Sequence, residues 1–252
     1  MTIPAKLCLT SVDVATSSSD LAWQAASEGA PAGTAFLVGE QTAGRGRRGS
    51  SWSSAKGGMY LSILLRPQAA PSDIWGLSFV AALAIRSALA ACIPEQDVRL
   101  KWPNDVLVGG GKICGLLLEA RDGAVVIGTG VNIAPVNAVP GARLPAISLR
   151  DLGDHSTVPA ALAATYGERL LAGATAWEQT GFSPVRLEWL RHCAHMGGRV
   201  RVTTGGAAGS PAGSPIEGDF IDLGSDGALV LRDDHGSERR VTTGDVELTG
   251  RF

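Results

Sequence analysis

The chain has 252 residues, 45% of them hydrophobic and 18% charged, with a formal net charge of −2. That is enough sequence for one to two domains with a substantial core, and it excludes a disordered tail. It also excludes a globally basic nucleic-acid binder, leaving room only for a local basic patch.

The basic residues are 18 Arg against 4 Lys, so each lysine position carries weight. The longest apolar run, Phe79 to Ile93, is 15 residues and contains Arg86. A membrane span needs about 20 apolar residues, so this run reads as a buried helix. The N-terminus has no basic head followed by an apolar stretch, so no secretory signal is expected. Cys8, Cys92, Cys114 and Cys193 are widely spaced without a C-x-x-C pair, which points to reduced thiols and a soluble cytoplasmic protein.

In chain order, Thr34 to Val38 reads as a strand and is followed by the loop Gly39-Glu40-Gln41-Thr42-Ala43-Gly44-Arg45-Gly46-Arg47-Arg48-Gly49. Met59 to Leu65 is a second aliphatic strand. Ser72 to Ile93 reads as a helix with Pro71 before it, Ser72 as N-cap and Asp73 in the first turn. After Lys101-Trp102-Pro103-Asn104-Asp105, the run Asp105 to Val108, three glycines and Lys112 to Ala120 reads as a β-hairpin. Val125 to Ile133 is a further strand, interrupted by Gly128 and Gly130. Helices are expected over Val158 to Glu178 and over Pro184 to His195, the latter capped by Ser183. The segment Thr203 to Pro215, TTGGAAGSPAGSP, has the composition of a flexible loop. Around it, Arg199 to Val202, Ile216 to Leu223, Ala228 to Arg232 and Glu238 to Val241 read as short strands of a small β-barrel. The fold class is therefore α+β, with a main domain over 1–197 and a small barrel over 198–252.

Three features carry chemistry. In the first loop, glycines let the backbone approach a ligand while arginines surround it with guanidinium forks, an arrangement suited to a phosphate or carboxylate. The same run reads equally as a solvated Arg-Gly loop or a nonspecific nucleic-acid contact. It is neither a Walker A loop nor a dinucleotide fingerprint. In the second feature, Lys101, Asp105 and Lys112 fall within twelve residues, and the hairpin brings Asp105 near Lys112. Such a group can neutralise an anion or form an ordinary surface ion pair. Third, Gly115, Gly128 and Gly130 interrupt strands, which marks a bulge or a ligand's close approach. Asn132 offers an amide that both donates and accepts. His192, Cys193 and His195 lack the spacing of a zinc site and read as a helix face. Trp75, Trp177 and Trp189 read as core or interdomain packing.

Taken together and in this order, GEQTAGRGRRG, KWPND, GGKICGLLLE and IGTGVNI resemble the biotin–protein ligase family over nearly the whole chain. The resemblance implies a mixed β-sheet flanked by helices, similar to lipoate ligases and class II aminoacyl-tRNA synthetases, with an SH3-like C-terminal barrel. It implies ATP-dependent, AMP-forming attachment of biotin to a lysine of a biotin carboxyl carrier domain, with ATP and Mg²⁺ required. Biotin contacts are implied for Ser17, Ser18, Ser19, Gln41, Arg45, Gly46, Arg47, Lys112 and Gly115. ATP or adenylate contacts are implied for Arg45, Arg47, Arg48, Trp52, Lys101, Asn104 and Asn132. Lys112 and Arg47 would be catalytic, and Asp105 a magnesium ligand. Ser18 and Ser19 stand where the family has Thr and Asn. Only 16 residues precede Ser17, too few for the family's helix-turn-helix, so neither DNA nor a membrane is an expected partner, and a monomer or weak homodimer is expected. A lipoate ligase, a non-catalytic biotin-binding regulator and an RNA-binding Arg-Gly protein are the alternatives.

Overall fold

A computed structural model describes residues 6–136, 143–204 and 214–249. The first sheet is built from β1 (Cys8–Ala15), β2 (Thr34–Gln41), β3 (Met59–Leu65), β4 (Val98–Lys101), β5 (Asp105–Val108), β6 (Gly111–Arg121) and β7 (Ala124–Val131). Their order is β1-β2-β3-β7-β6-β5-β4, parallel between β1 and β2 and antiparallel elsewhere. The α+β expectation holds, with a mixed sheet and interspersed helices.

Alternation along the strands gives the sheet two different faces. Leu61, Ile63, Leu116 and Ile127 share one hydrophobic cluster with Leu77 and Ile85 of α2 (Gly76–Cys92) and Leu170 of α3 (Pro159–Thr180). On the opposite face, Leu64, Ala124 and Val126 pack with Ala22 of α1 (Ser18–Ser27). That short helix covers only part of its face and leaves the rest open for a site.

The helix starts differ from expectation. Residues 71–75 form a turn, the Ser72 hydroxyl donates to Asp73 instead of capping, and α2 starts at Gly76. α4 runs Phe182–Arg191 because Gly181, at φ 75°, turns the chain directly out of α3; Ser183 therefore lies inside the helix. His192, Cys193 and His195 lie beyond the end of α4 rather than along its face. The Leu100 N–H donates to the His192 carbonyl at 2.8 Å and the Ala194 N–H to the Leu100 carbonyl at 2.8 Å, so this segment covers the β4 edge.

The second sheet comprises β8 (Arg199–Thr203), β9 (Ile216–Leu223), β10 (Leu229–Arg232), β11 (Glu238–Val241) and β12 (Asp245–Leu248), all antiparallel. Its order, β11-β10-β9-β8-β12, leaves β11 and β12 as edges. Among the described residues it is an open five-stranded sheet, not the closed barrel expected, and β12 supplies the unforeseen strand. Most of the Gly/Ser/Pro-rich stretch lies outside the described residues. The Trp102 indole donates to the Gly227 carbonyl at 3.1 Å, and Val200, Phe220 and Leu229 join the main hydrophobic cluster. Trp75 packs on Phe182 with ring centroids 4.5 Å apart, and Phe79 on Trp189 at 5.5 Å. Among the described residues, no helix is long and apolar enough to cross a membrane.

Candidate active site

Residues directly opposite one another on neighbouring strands share a face. One such row runs Val38–Tyr60–Gly130–Gly115–Asp105–Lys101 across six strands. Its two central glycines remove side chains and open a trough between Tyr60 and Asp105. Trp52 lies in that trough: a Cβ at Gly130 would stand 2.5 Å from the indole, and one at Gly115 2.8 Å. The next row, Phe36–Ser62–Gly128–Leu117, deepens it.

Lys112 reaches the trough through an irregularity in the hairpin. The turn itself is made by Gly109 and Gly110, at φ 56° and 80°. Asp105 pairs with Gly115 and Val106 with Cys114, but Leu107 then faces Lys112, leaving Ile113 without an opposite residue. Lys112 and Gly115 are three positions apart, so strict alternation would send them to opposite faces. The bulge returns Lys112 to the face of Asp105. Its ammonium lies 2.6 Å from Asp105 Oδ1 and 5.2 Å from the centroid of the Trp52 ring. The Lys112 N–H donates to the Pro145 carbonyl, and its carbonyl accepts from Ile147 N–H and Asn132 Nδ2. Lys101 approaches the other Asp105 oxygen at 3.6 Å. Burial pulls the Lys101 ammonium below the ordinary lysine range, with Asp105 opposing that pull.

The start of α1 forms one end of the trough. The Ser17 hydroxyl caps the helix by accepting from Ser19 N–H, and the Ser18 N–H donates to Gln41 Oε1 at 2.7 Å. The Ser18 and Ser19 hydroxyls both bond to that of Ser62, at 2.8 and 3.0 Å. Three hydroxyls and an amide thus converge where the helix dipole is positive.

The arginine loop faces the hairpin. Arg45 pairs with Asp20 at 2.5 Å and Glu119 at 3.7 Å, while Arg48 reaches Thr243 at 2.9 Å and Asp245 at 3.4 Å. Arg48 holds φ 55°, an uncommon conformation for a side-chain-bearing residue. Arg47 turns inward, 3.4 Å from Asn104 Oδ1, and burial together with its neighbour Arg48 lowers its pKa. The resulting cavity measures about 310 Å³ and is lined by every residue expected at the site except Lys101 and Asn132. Lys101 lines a neighbouring cavity, and Asn132 is buried, with its amide engaged by the Lys112 and Ile147 carbonyls. Asn132 therefore acts on the site from behind, by holding the bulge.

The magnesium expectation at Asp105 does not fit its surroundings. Two ammonium groups already flank this carboxylate, and among the described residues no three His, Cys, Asp or Glu side chains gather. Any magnesium would enter with the triphosphate of ATP. Among the residues at the site that went unforeseen are Ser62, Tyr60 and Asp245. Ser62 is the one hydroxyl in the otherwise apolar β3 besides Tyr60, a readable signal. Burial pushes the Tyr60 phenol up to about 12, and its hydroxyl donates to the Ala55 carbonyl. Asp245 comes from the second sheet, and no local sequence signal marks it.

Residues 12–133 match the model of the biotin/lipoate A/B protein ligase family. A biotin–[acetyl-CoA-carboxylase] ligase of Paracoccus denitrificans is 36% identical over 78% of this chain and 82% of its own length. One from Mycobacterium tuberculosis is 34% identical over 90% and 83%. In fold, the chain is similar to the biotin protein ligase from Aquifex aeolicus solved in complex with biotin and ATP. The TM-score is 0.81 at 23% identity, over 95% of this chain and 97% of that one.

Proposed function

This chain belongs to the biotin/lipoate A/B protein ligase family, and from that premise we infer that it is a biotin–protein ligase. It joins biotin to ATP, giving biotinyl-5′-AMP and pyrophosphate, and then passes biotin to a lysine of a biotin carboxyl carrier domain of a carboxylase. The observation that carries the site assignment is that Lys112, turned inward by its bulge, and Arg47 line one glycine-floored cavity.

The first step brings a carboxylate to the α-phosphorus of ATP, two anions that repel in water. Lys112 offsets that repulsion and Arg47 holds the acyl phosphate that results, and both charges count for more in a site sheltered from solvent. On arrival of substrate, Lys112 exchanges part of its bond to Asp105 for the incoming oxygens. The bicyclic head of biotin lies toward Ser17, Ser18, Ser19 and Gln41. There the Ser62 hydroxyl fixes those of Ser18 and Ser19 by hydrogen bonds of 2.8 and 3.0 Å, and Ser19 reaches less far than the amide the family has. Gly115 and Gly46 keep the walls low, Trp52 covers the trough, and Arg45, Arg48 and Asn104 border the adenylate. No residue is required as a covalent nucleophile, so rate comes from position and charge. In the second step the carrier's ε-amine attacks the acyl carbon, the acyl–oxygen bond breaks, and AMP leaves. The setting is the cytoplasm.

The test is pyrophosphate release with biotin and with lipoate side by side, followed by mass spectrometry of a carrier domain. Biotin-dependent release and one modified lysine are expected. Release with lipoate alone would transfer the chain to the lipoate branch, and binding without release would make it a regulator.

A further inference from the structure

Beside the active cavity, over β4 and β5, lies a second cavity of about 1150 Å³. Arg99 and Lys101 reach it from β4, and β12 contributes Glu247, with Arg143 at its rim. His195 lines it at 6% exposure, and neither ring nitrogen has a hydrogen-bond partner. Buried polar groups seldom go unmet, so this imidazole calls for a partner inside the cavity. The charged lining is predominantly cationic, with Arg99, Lys101, Arg143 and Arg191 against Asp97 and Glu247.

Two carboxylates form the partition between the cavities. Asp105 holds Lys112 of the first at 2.6 Å and Lys101 of the second at 3.6 Å. Asp245 holds Arg48 at 3.4 Å and Arg143 at 3.7 Å. Lys101 is the more loosely held partner of Asp105, and Arg143, 48% exposed, is shared between Asp245 and Glu247 of the second cavity, the latter at 3.3 Å.

We propose that this second cavity is an oxyanion site for a phosphate-bearing small molecule, held by Lys101, Arg143 and His195. A phosphate has acceptors enough for an ammonium, a guanidinium and an imidazole N–H together, and it satisfies the orphaned ring. Its arrival also redirects Lys101 and Arg143, leaving Asp105 and Asp245 wholly to Lys112 and Arg48. The active cavity then attracts anions less strongly, so the two sites antagonise each other, and by linkage the effect is mutual. The antagonism rests on the ligase reading; the site itself does not.

Imidazole NMR during titration with inorganic phosphate isolates the second cavity, because no histidine lines the first. Burial and the Lys101 charge hold His195 down to about 4. Arg99, Arg143 and Arg191 add positive charge around it, and Asp97 and Glu247 oppose it. The signal that disappears in His195→Phe should move saturably with phosphate, and its titration midpoint should rise by about one pH unit or more. Arg143→Ala, a change at an exposed rim, should weaken phosphate binding about tenfold, and His195→Phe should abolish phosphate's effect on biotin affinity. A linear, unsaturating drift would mean that water alone fills the cavity, and saturable binding equal in the wild type and Arg143→Ala would mean that phosphate binds without the proposed cradle; either would overturn the proposal. Saturable binding with biotin affinity unchanged would keep the site and overturn the antagonism.

Discussion

On one side of the active cavity, Lys112 stands on a hairpin whose ladder continues into β7, with both its backbone N–H and carbonyl bonded. On the other side, Arg45, Arg47 and Arg48 stand on a loop closed by a few backbone bonds, among them Gly46 N–H to the Ser50 carbonyl and Trp52 N–H to the Gly44 carbonyl. Arg47 is held by Asn104 Oδ1 at 3.4 Å, and Arg45 and Arg48 are tied down by ion pairs to partly exposed carboxylates, 38% and 43% exposed for Arg45 and Asp20. Pairs of that kind contribute roughly 0–1 kcal/mol. The backbone that carries the hairpin charge is fixed in place before the reaction starts, whereas the loop that carries the arginine charges is held by weaker ties and can shift them toward a ligand. The hairpin should therefore govern the rate of adenylation, and the loop should govern how long the adenylate stays.

The sharpest way to break that comparison is Lys112→Ala. It should cut pyrophosphate release by about 10²-fold or more with the circular dichroism spectrum unchanged, as for loss of a charge stabiliser in a sheltered site. Near-normal release would remove the hairpin from its role. Arg47→Gly should act on the other quantity. Charge-assisted hydrogen bonds are worth roughly 1.5–3 kcal/mol, so adenylate should escape about ten- to a hundredfold faster while synthesis continues. Mass spectrometry of a mixture with serum albumin would then find biotin on bystander lysines; label confined to the carrier would contradict the assignment.

Between the two walls, Gly130→Ala forces a methyl group against the Trp52 indole, which must shift. Biotin affinity should fall about tenfold in calorimetry, with only a modest loss of melting temperature. Smallest is Asp20→Asn, which frees Arg45 from its nearest partner. It should change biotin affinity by about twofold to threefold, with an effect that fades at high salt. Burial raises the Asp20 pKa, but its bonds to Arg45 and Thr16 and the nearby guanidinium charges together more than offset this, so the value lies below the ordinary one. This pair therefore contributes above about pH 4 and is lost as the pH falls through the lowered pKa. Biotin binding that is insensitive to this substitution at low salt would show that the loop does not need its tether.

How far the site could be read from sequence follows the same division. The arginine loop, KWPND and the glycine pairs are local patterns legible in the sequence, and nearly all their residues line one cavity. α1 carries no comparable pattern, because SSDLAWQAAS is short and its apolar stripe narrow. β1 carries none either, because none of its residues is buried and its exposure does not alternate. Pro71, Ser72 and Asp73 mimic a capping signal ahead of α2, while the backbone there forms a turn. Asp245 and the pairing of Lys101 with the second cavity depend on how two sheets meet, which no window of sequence contains.

The bulge at Ile113 makes the active site depend on parity. Lys112 faces Asp105 because one residue too many stands between Lys112 and Gly115 for a regular ladder. Removing Ile113 would restore a regular ladder, with Cys114 still opposite Val106 and Lys112 still opposite Leu107, so the lysine would keep the face of Asp105. Adding a residue while the single bulge is kept would instead pair Lys112 with Val108, which is buried in the core on the other face, where an ammonium cannot reside. The arm therefore absorbs the loss of its extra residue but not the gain of another. Divergence here can shorten the strand or exchange its residues, whereas a single-codon insertion would carry the lysine out of the site in one step.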